Sequence, residues 1–164
     1  MRRLLLLAAL AAASARAQPL PAGQTYAPGV DVQQYAFRAA LSDADDRVSA
    51  EADVRFVATT DTLTALPLDL VSLRPDGAGM TVASVRVDGA PATFSHTADR
   101  LVVRLGAVAA PGSEHTATVA YGGVPADGLV VGVNRHGART FFGDHWPNRA
   151  HHWLPVVDHP SDKA

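Results

Sequence analysis

The sequence predicts an all-β protein, an antiparallel β-sandwich or an open twisted sheet of short strands. Three observations carry that reading. Apolar and polar residues alternate over several stretches, as they do when one face of a strand lies against a core. Clusters of Gly, Pro, Asp and Asn break these stretches every several residues. Beyond residues 1–17, no segment sustains the 3.6-residue apolar period of a helix.

The chain has 164 residues, 48% hydrophobic and 18% charged, which suits one globular domain. Residues 1–17 read as a secretory signal peptide. Arg2 and Arg3 form a positive head, Leu4 to Ala13 an apolar run, and Ala15-Arg16-Ala17 a small-x-small cleavage site. That run is about half the length of a membrane-spanning helix, so the expected destination is the periplasm or the cell exterior. Cleavage would remove Arg2, Arg3 and Arg16, taking the net charge from -2 to -5. No basic patch then remains, which argues against nucleic acid as a partner. The absence of cysteine excludes disulfides, thiolate metal sites and a cysteine nucleophile.

Residues 18–30 (QPLPAGQTYAPGV) read as an extended lead-in, and residues 31–164 as the β domain. Tyr35, Phe37, Ala39 and Leu41 alternate, which is expected to place that face against the core. The turn Ser42 to Asp46 follows. Val48, Ala50, Ala52, Val54 and Phe56 give the cleanest period of two, and the two runs should pair as a hairpin. Leu63 to Leu70 is a third, weaker strand; Pro67, which cannot donate to a ladder, argues for an edge or an irregularity there. Val82, Ser84 or Val85, and Val87 lead into Asp88-Gly89, a dipeptide that tolerates the positive φ of tight hairpins. Thr93 to Ser95 returns, Ala98-Asp99-Arg100 turns, and Leu101 to Leu105 is a strand. Thr116 to Tyr121 follows, ending at Gly122-Gly123. Leu129 to Val133 and Thr140 to Phe142 then flank a turn at Asn134 to Gly137.

The chemistry gathers in residues 139–164, which hold Trp146, Trp153 and four of the seven histidines. His145, His151, His152 and His159 invite a metal-site reading, but the spacing matches no zinc pattern. In an extended stretch, adjacent His151 and His152 would point to opposite faces. Asp158 is expected to accept backbone N–H bonds that fix its turn, and Trp153 and Leu154 to anchor the segment to the sheet. Ser161 has no base to activate it.

VRVDG (85–89), LVVRL (101–105), TATVAYGGVPADGL (116–129) and RAHHWLPVVDHPSDKA (149–164) occur in an order that resembles the N-terminal domain of the aminopeptidase N family of zinc aminopeptidases. The most specific stretch, Pro155 to Ala164, is similar to the family signature Pro-Cys-x-Asp-x-Pro-x-x-Lys-Ala/Thr, with Val156 in place of the cysteine. The resemblance implies a saddle-like, non-catalytic β domain that walls the substrate pocket of an exopeptidase acting on peptide N-termini. It also implies zinc held downstream by H-E-x-x-H and a further glutamate, beside a G-x-M-E-N loop. This sequence contains neither motif, so no catalytic or metal-binding residue is expected in it, and the domain is expected to continue past Ala164 into a catalytic one. Counting back from Pro155, the family's pocket-facing acid or amide falls on Trp146, with Asp144 two residues before. On that resemblance Asp144 would supply charge to a substrate amine and Trp146 an apolar wall. It also implies that Lys163-Ala164 begins another strand, whose unpaired edge would make the chain poorly soluble. The alternative reading is a free-standing exported sandwich that binds its ligand through an exposed Trp146 and Trp153.

Overall fold

The computed structural model describes residues 27–159. The signal-peptide reading, most of the lead-in, and the last five residues of the signature lie outside the described residues. Ten strands follow one another: β1 (Val30–Ala40), β2 (Val48–Ala58), β3 (Ala65–Asp69), β4 (Gly79–Val87), β5 (Ala90–Pro91), β6 (Phe94–Thr97), β7 (Arg100–Arg104), β8 (Glu114–Val124), β9 (Leu129–Val133) and β10 (Arg139–Gly143). A single 3-10 turn, Ala150–His152, comes after them.

All ladders between these strands are antiparallel. One sheet has the order β1-β2-β8-β4-β5, a second β3-β7-β6, and β9-β10 form a separate ribbon. The two larger sheets share one core, so the sandwich is realised. From β2, Val54, Phe56 and Ala58 turn inward, and from β8, Ala117, Val119 and Tyr121. Leu66 and Leu68 of β3 and Leu101 and Val103 of β7 meet them. Burial alternates residue by residue along β2 and β8, as the pleat requires. Fully burying side chains of this size contributes about 1.5–3 kcal/mol each, and this apolar contact replaces the missing disulfides.

β1 departs from its expected pattern. Its register shifts between Val32 and Gln34, so the inward face passes from Val30 and Val32 to Tyr35. Beyond Tyr35 the expected core face is open: Phe37 is 36% and Leu41 42% exposed, and Ala39 is exposed too. The reason is position, since among the described residues β1 is the outer strand and pairs only with β2. A second shift, between Val82 and Ser84, explains why two apolar residues of β4, Val82 and Val85, stand three apart. Pro67 does sit in the outer strand of its sheet. Asp88 and Gly89 form the two-residue turn between β4 and β5, at φ 51° and 80°.

The strands are not uniformly short, for β1, β2 and β8 each run 11 residues. β8 continues through Gly122-Gly123 instead of stopping there. A β-carbon on Gly123 would stand 2.1 Å from the Gly79 carbonyl oxygen, so glycine there lets β4 come close instead of breaking β8.

Candidate functional site

The chain leaves β10 at Gly143 and runs as a strap, residues 144–159, back along the edge of the second sheet. Its first half is organised by Arg149. The guanidinium donates to Asp144 Oδ2 at 2.6 Å and to the Trp146 carbonyl at 2.7 Å, and lies 3.6 Å from Asp127 Oδ1. The Arg149 carbonyl abuts Gly128, where a β-carbon would stand 2.3 Å from that oxygen and where φ is 76°, so only glycine fits. The Gly128 carbonyl in turn accepts the Asp144 N–H at 2.8 Å. Asp144 is thereby positioned, and its charge is already met by Arg149.

Trp146 projects outward, 80% exposed; on the ribbon, Phe142 at 66% and its cross-strand partner Val130 at 51% stand open on one face, and Val133 at 71% on the other. Trp153 does the opposite. It packs against the core, and its indole N–H donates to His145 Nε2 at 3.1 Å. The ribbon is fastened by Arg139, which pairs with Asp46, donates to the Asp45 carbonyl at 2.8 Å, and lies over the Phe141 ring.

The second half of the strap is held by buried charge. Asp69, at the end of β3, is 0% exposed, pairs with Arg100 of β7, and accepts the Asp158 N–H at 3.2 Å. Asp69 and Val156 also exchange backbone bonds, Asp69 N–H to Val156 carbonyl at 2.7 Å and the reverse at 3.2 Å. Asp158 Oδ2 accepts the His151 N–H at 3.1 Å and lies 2.6 Å from its Nδ1, and the Tyr35 hydroxyl accepts the Val157 N–H at 2.9 Å. Asp158 thus fixes backbone as expected, and Leu154 is buried.

One expectation needs correcting. His151 and His152 do not face opposite ways, because they lie on a 3-10 turn and not on a strand; their ring centroids are 4.5 Å apart. His152 is held below the ordinary imidazole range, first by burial and then by the charge of His151, with Asp127 and Asp158 pulling the other way. Its Nδ1 is buried without a hydrogen-bond partner among the described residues.

No protein-family model and no curated protein matches the sequence. The fold does match solved structures. An M1 zinc metallopeptidase from Deinococcus radiodurans superimposes with a TM-score of 0.65 at 26% identity, over 82% of this chain and 30% of that one. The chain carries the domain fold of the M1 zinc metallopeptidases.

A Deinococcus radiodurans M1 zinc metallopeptidase variant bound to a Tyr-Ser-Ala substrate matches at 25% identity and a TM-score of 0.64, over 82% of this chain and 30% of that one. Native leukotriene A4 hydrolase from Saccharomyces cerevisiae shares the fold, with a TM-score of 0.68 at 16% identity, over 93% of this chain and 25% of that one. The chain spans between a quarter and a third of the length of these proteins. Among the described residues, no three His, Asp or Glu side chains group closely enough to hold a metal ion. His151 spends its Nδ1 on Asp158, and the imidazole pair lacks a third ligand aimed at it.

Sequence reasoning named Asp144 and Trp146 and missed the arginine that ties them together. It also missed Asp69. The signal for Asp69 was present, a lone carboxylate inside the apolar run Leu66 to Val71, where burial demands a cationic partner. For Arg149 the sequence offers only proximity.

Proposed function

We propose that this chain is the non-catalytic N-terminal domain of an exported zinc aminopeptidase, and that its strap and β9-β10 ribbon wall one side of the substrate pocket. The observation that carries the reading is the metallopeptidase fold, joined to an exposed Trp146 on the strap and an exposed Phe142 in the strand that leads into it. Zinc, the general base and peptide turnover belong to a downstream catalytic domain, and the substrate is a peptide N-terminus. Trp146 forms an apolar wall of the pocket. Asp144 reaches the substrate amine only by sharing or releasing Arg149. Residues 1–17 would direct export to the periplasm or beyond.

The test is reconstitution. The chain alone is expected to hydrolyse no alanyl or leucyl anilide, and to bind a zinc-loaded M1 catalytic domain supplied in trans. Hydrolysis by the chain alone, or failure to associate with that domain, overturns the proposal.

Exposure of Trp146 also suits a free-standing binding module. That reading wants both indoles open to ligand, however, and Trp153 is packed and hydrogen-bonded. The first reading therefore has the better support.

A further inference from the structure

Away from the strap, a serine, a histidine and an aspartate form a continuous hydrogen-bonded line. Asp88 opens the turn between β4 and β5, His115 is the second residue of β8, and Ser113 closes the turn just before β8. Ser113 Oγ is 2.8 Å from His115 Nε2, and His115 Nδ1 is 2.7 Å from Asp88 Oδ2. The other carboxylate oxygen accepts the Thr116 N–H at 2.8 Å, so the aspartate is fixed at both ends. The imidazole leans on Phe56, with ring centroids 5.7 Å apart, and is 22% exposed, so its proton donors and acceptors are partly shielded from water.

The charge of Asp88 and the imidazole tautomer follow from these partners. Burial pushes the Asp88 carboxyl upward, but the hydrogen bonds from His115 and the Thr116 amide outweigh it and hold it below the usual carboxylate range. A carboxylate facing Nδ1 keeps the proton on that nitrogen and leaves the Nε2 lone pair toward the serine. The single Ser113 hydroxyl proton then has two acceptors within reach, His115 Nε2 and the Ala110 carbonyl at 2.6 Å.

We propose that Ser113 is an activated nucleophile that accepts acyl groups from activated esters, with His115 as its base and Asp88 orienting the imidazole. Ser113 Oγ bonds to the carbonyl carbon of an aryl ester, and the bond from that carbon to the aryl oxygen breaks. The serine proton passes to His115 Nε2 and on to the departing aryloxide, which leaves as the phenol, and the serine remains as an ester. The limit of the site is equally readable. The Gly112 and Ser113 amides are spent on the Ala58 and Ala110 carbonyls, at 2.7 and 3.0 Å, so the turn offers no free amide pair for a tetrahedral oxyanion. Esters with good leaving groups fit this chemistry, and peptides do not.

Incubating the full 164-residue chain with p-nitrophenyl acetate, then locating acetyl groups by peptide mass spectrometry, tests the proposal. Ser113 is expected to acetylate, Ser113→Ala to abolish the adduct with an unchanged melting curve, and His115→Gln to slow it by at least about tenfold. Asp88→Asn guards against a folding artefact, because asparagine tolerates the left-handed turn and still accepts from Thr116. A folded Asp88→Asn chain should also label more slowly. No acetyl on Ser113, or equal labelling in that folded variant, reduces the three residues to a brace between turns and overturns the proposal.

Discussion

The Asp158 carboxylate grips His151 at two points, its backbone N–H at 3.1 Å and its ring Nδ1 at 2.6 Å, through the same oxygen. His151 is itself buried and passes its carbonyl to the Val71 N–H at 2.8 Å, so the grip holds the strap to the chain beyond β3. Replacing Asp158 by alanine leaves a buried N–H and a ring nitrogen unmet, which should cost about 2 kcal/mol. Asp158→Asn keeps one acceptor and should fall between wild type and Asp158→Ala. Urea unfolding measures the order, and an alanine variant within about 0.5 kcal/mol of wild type would contradict it.

Acid should loosen the strap through His152. Its folded pKa lies below the ordinary imidazole value of about 6.5, chiefly because of burial. Above that value the ring is neutral in folded and unfolded chains alike, so it costs nothing. As pH drops below it, the unfolded chain takes up a proton that the folded chain resists, and stability is lost progressively until the folded pKa is passed. Melting temperatures at pH 7 and pH 5 should differ less in His152→Gln than in wild type; parallel losses would assign the acid sensitivity elsewhere.

Two glycines separate close approach from simple exposure. Gly123→Ala drives a β-carbon to 2.1 Å from the Gly79 oxygen and 3.0 Å from the Met80 Cα, both backbone atoms that cannot step aside. It should cost about 3 kcal/mol or more. Gly132→Ala in β9 meets nothing within 4 Å and should be neutral or slightly stabilising. Comparable losses at both positions, in thermal melts, would refute the tight β4-β8 contact.

The two indoles should behave as opposites. Trp146, 80% exposed, should account for most of the acrylamide quenching, and Trp146→Phe should change stability by no more than about 0.5 kcal/mol. Trp153→Ala should cost about 2 kcal/mol, because it empties a packed position and strands its hydrogen bond to His145. Quenching that survives Trp146→Phe undiminished would mean that Trp153 is the open one.

Much of the scaffold was legible in the sequence because alternation and turn chemistry are local. The Val48 to Phe56 period and the Asp88-Gly89 turn needed no partner to be read. What was not legible depended on neighbours. The outer half of β1 looks core-facing by pattern, yet Phe37 lies open because of where β1 sits in its sheet. Gly122-Gly123 looks like a break, and only the nearness of β4 shows why it is a strand. In the strap, the likeness to zinc aminopeptidases led to Asp144 and Trp146, while Arg149 and Asp69 matter through contacts that no spacing encodes. Ser113, His115 and Asp88 were missed for the same reason, since Asp88 and His115 stand 27 residues apart.

The bond from the Val157 N–H to the Tyr35 hydroxyl spans 122 residues of chain. It cannot form during synthesis until residue 157 has emerged, whereas the β1-β2 hairpin can close early. The strap is thus a late fastening. A pulse of deuterium during refolding should find the Val157 amide protected after the amides of β2. A domain that secures its chain in this order passes through early assembly with the Asp69 carboxylate still without the Asp158 amide, and becomes resistant to proteases only when the strap arrives.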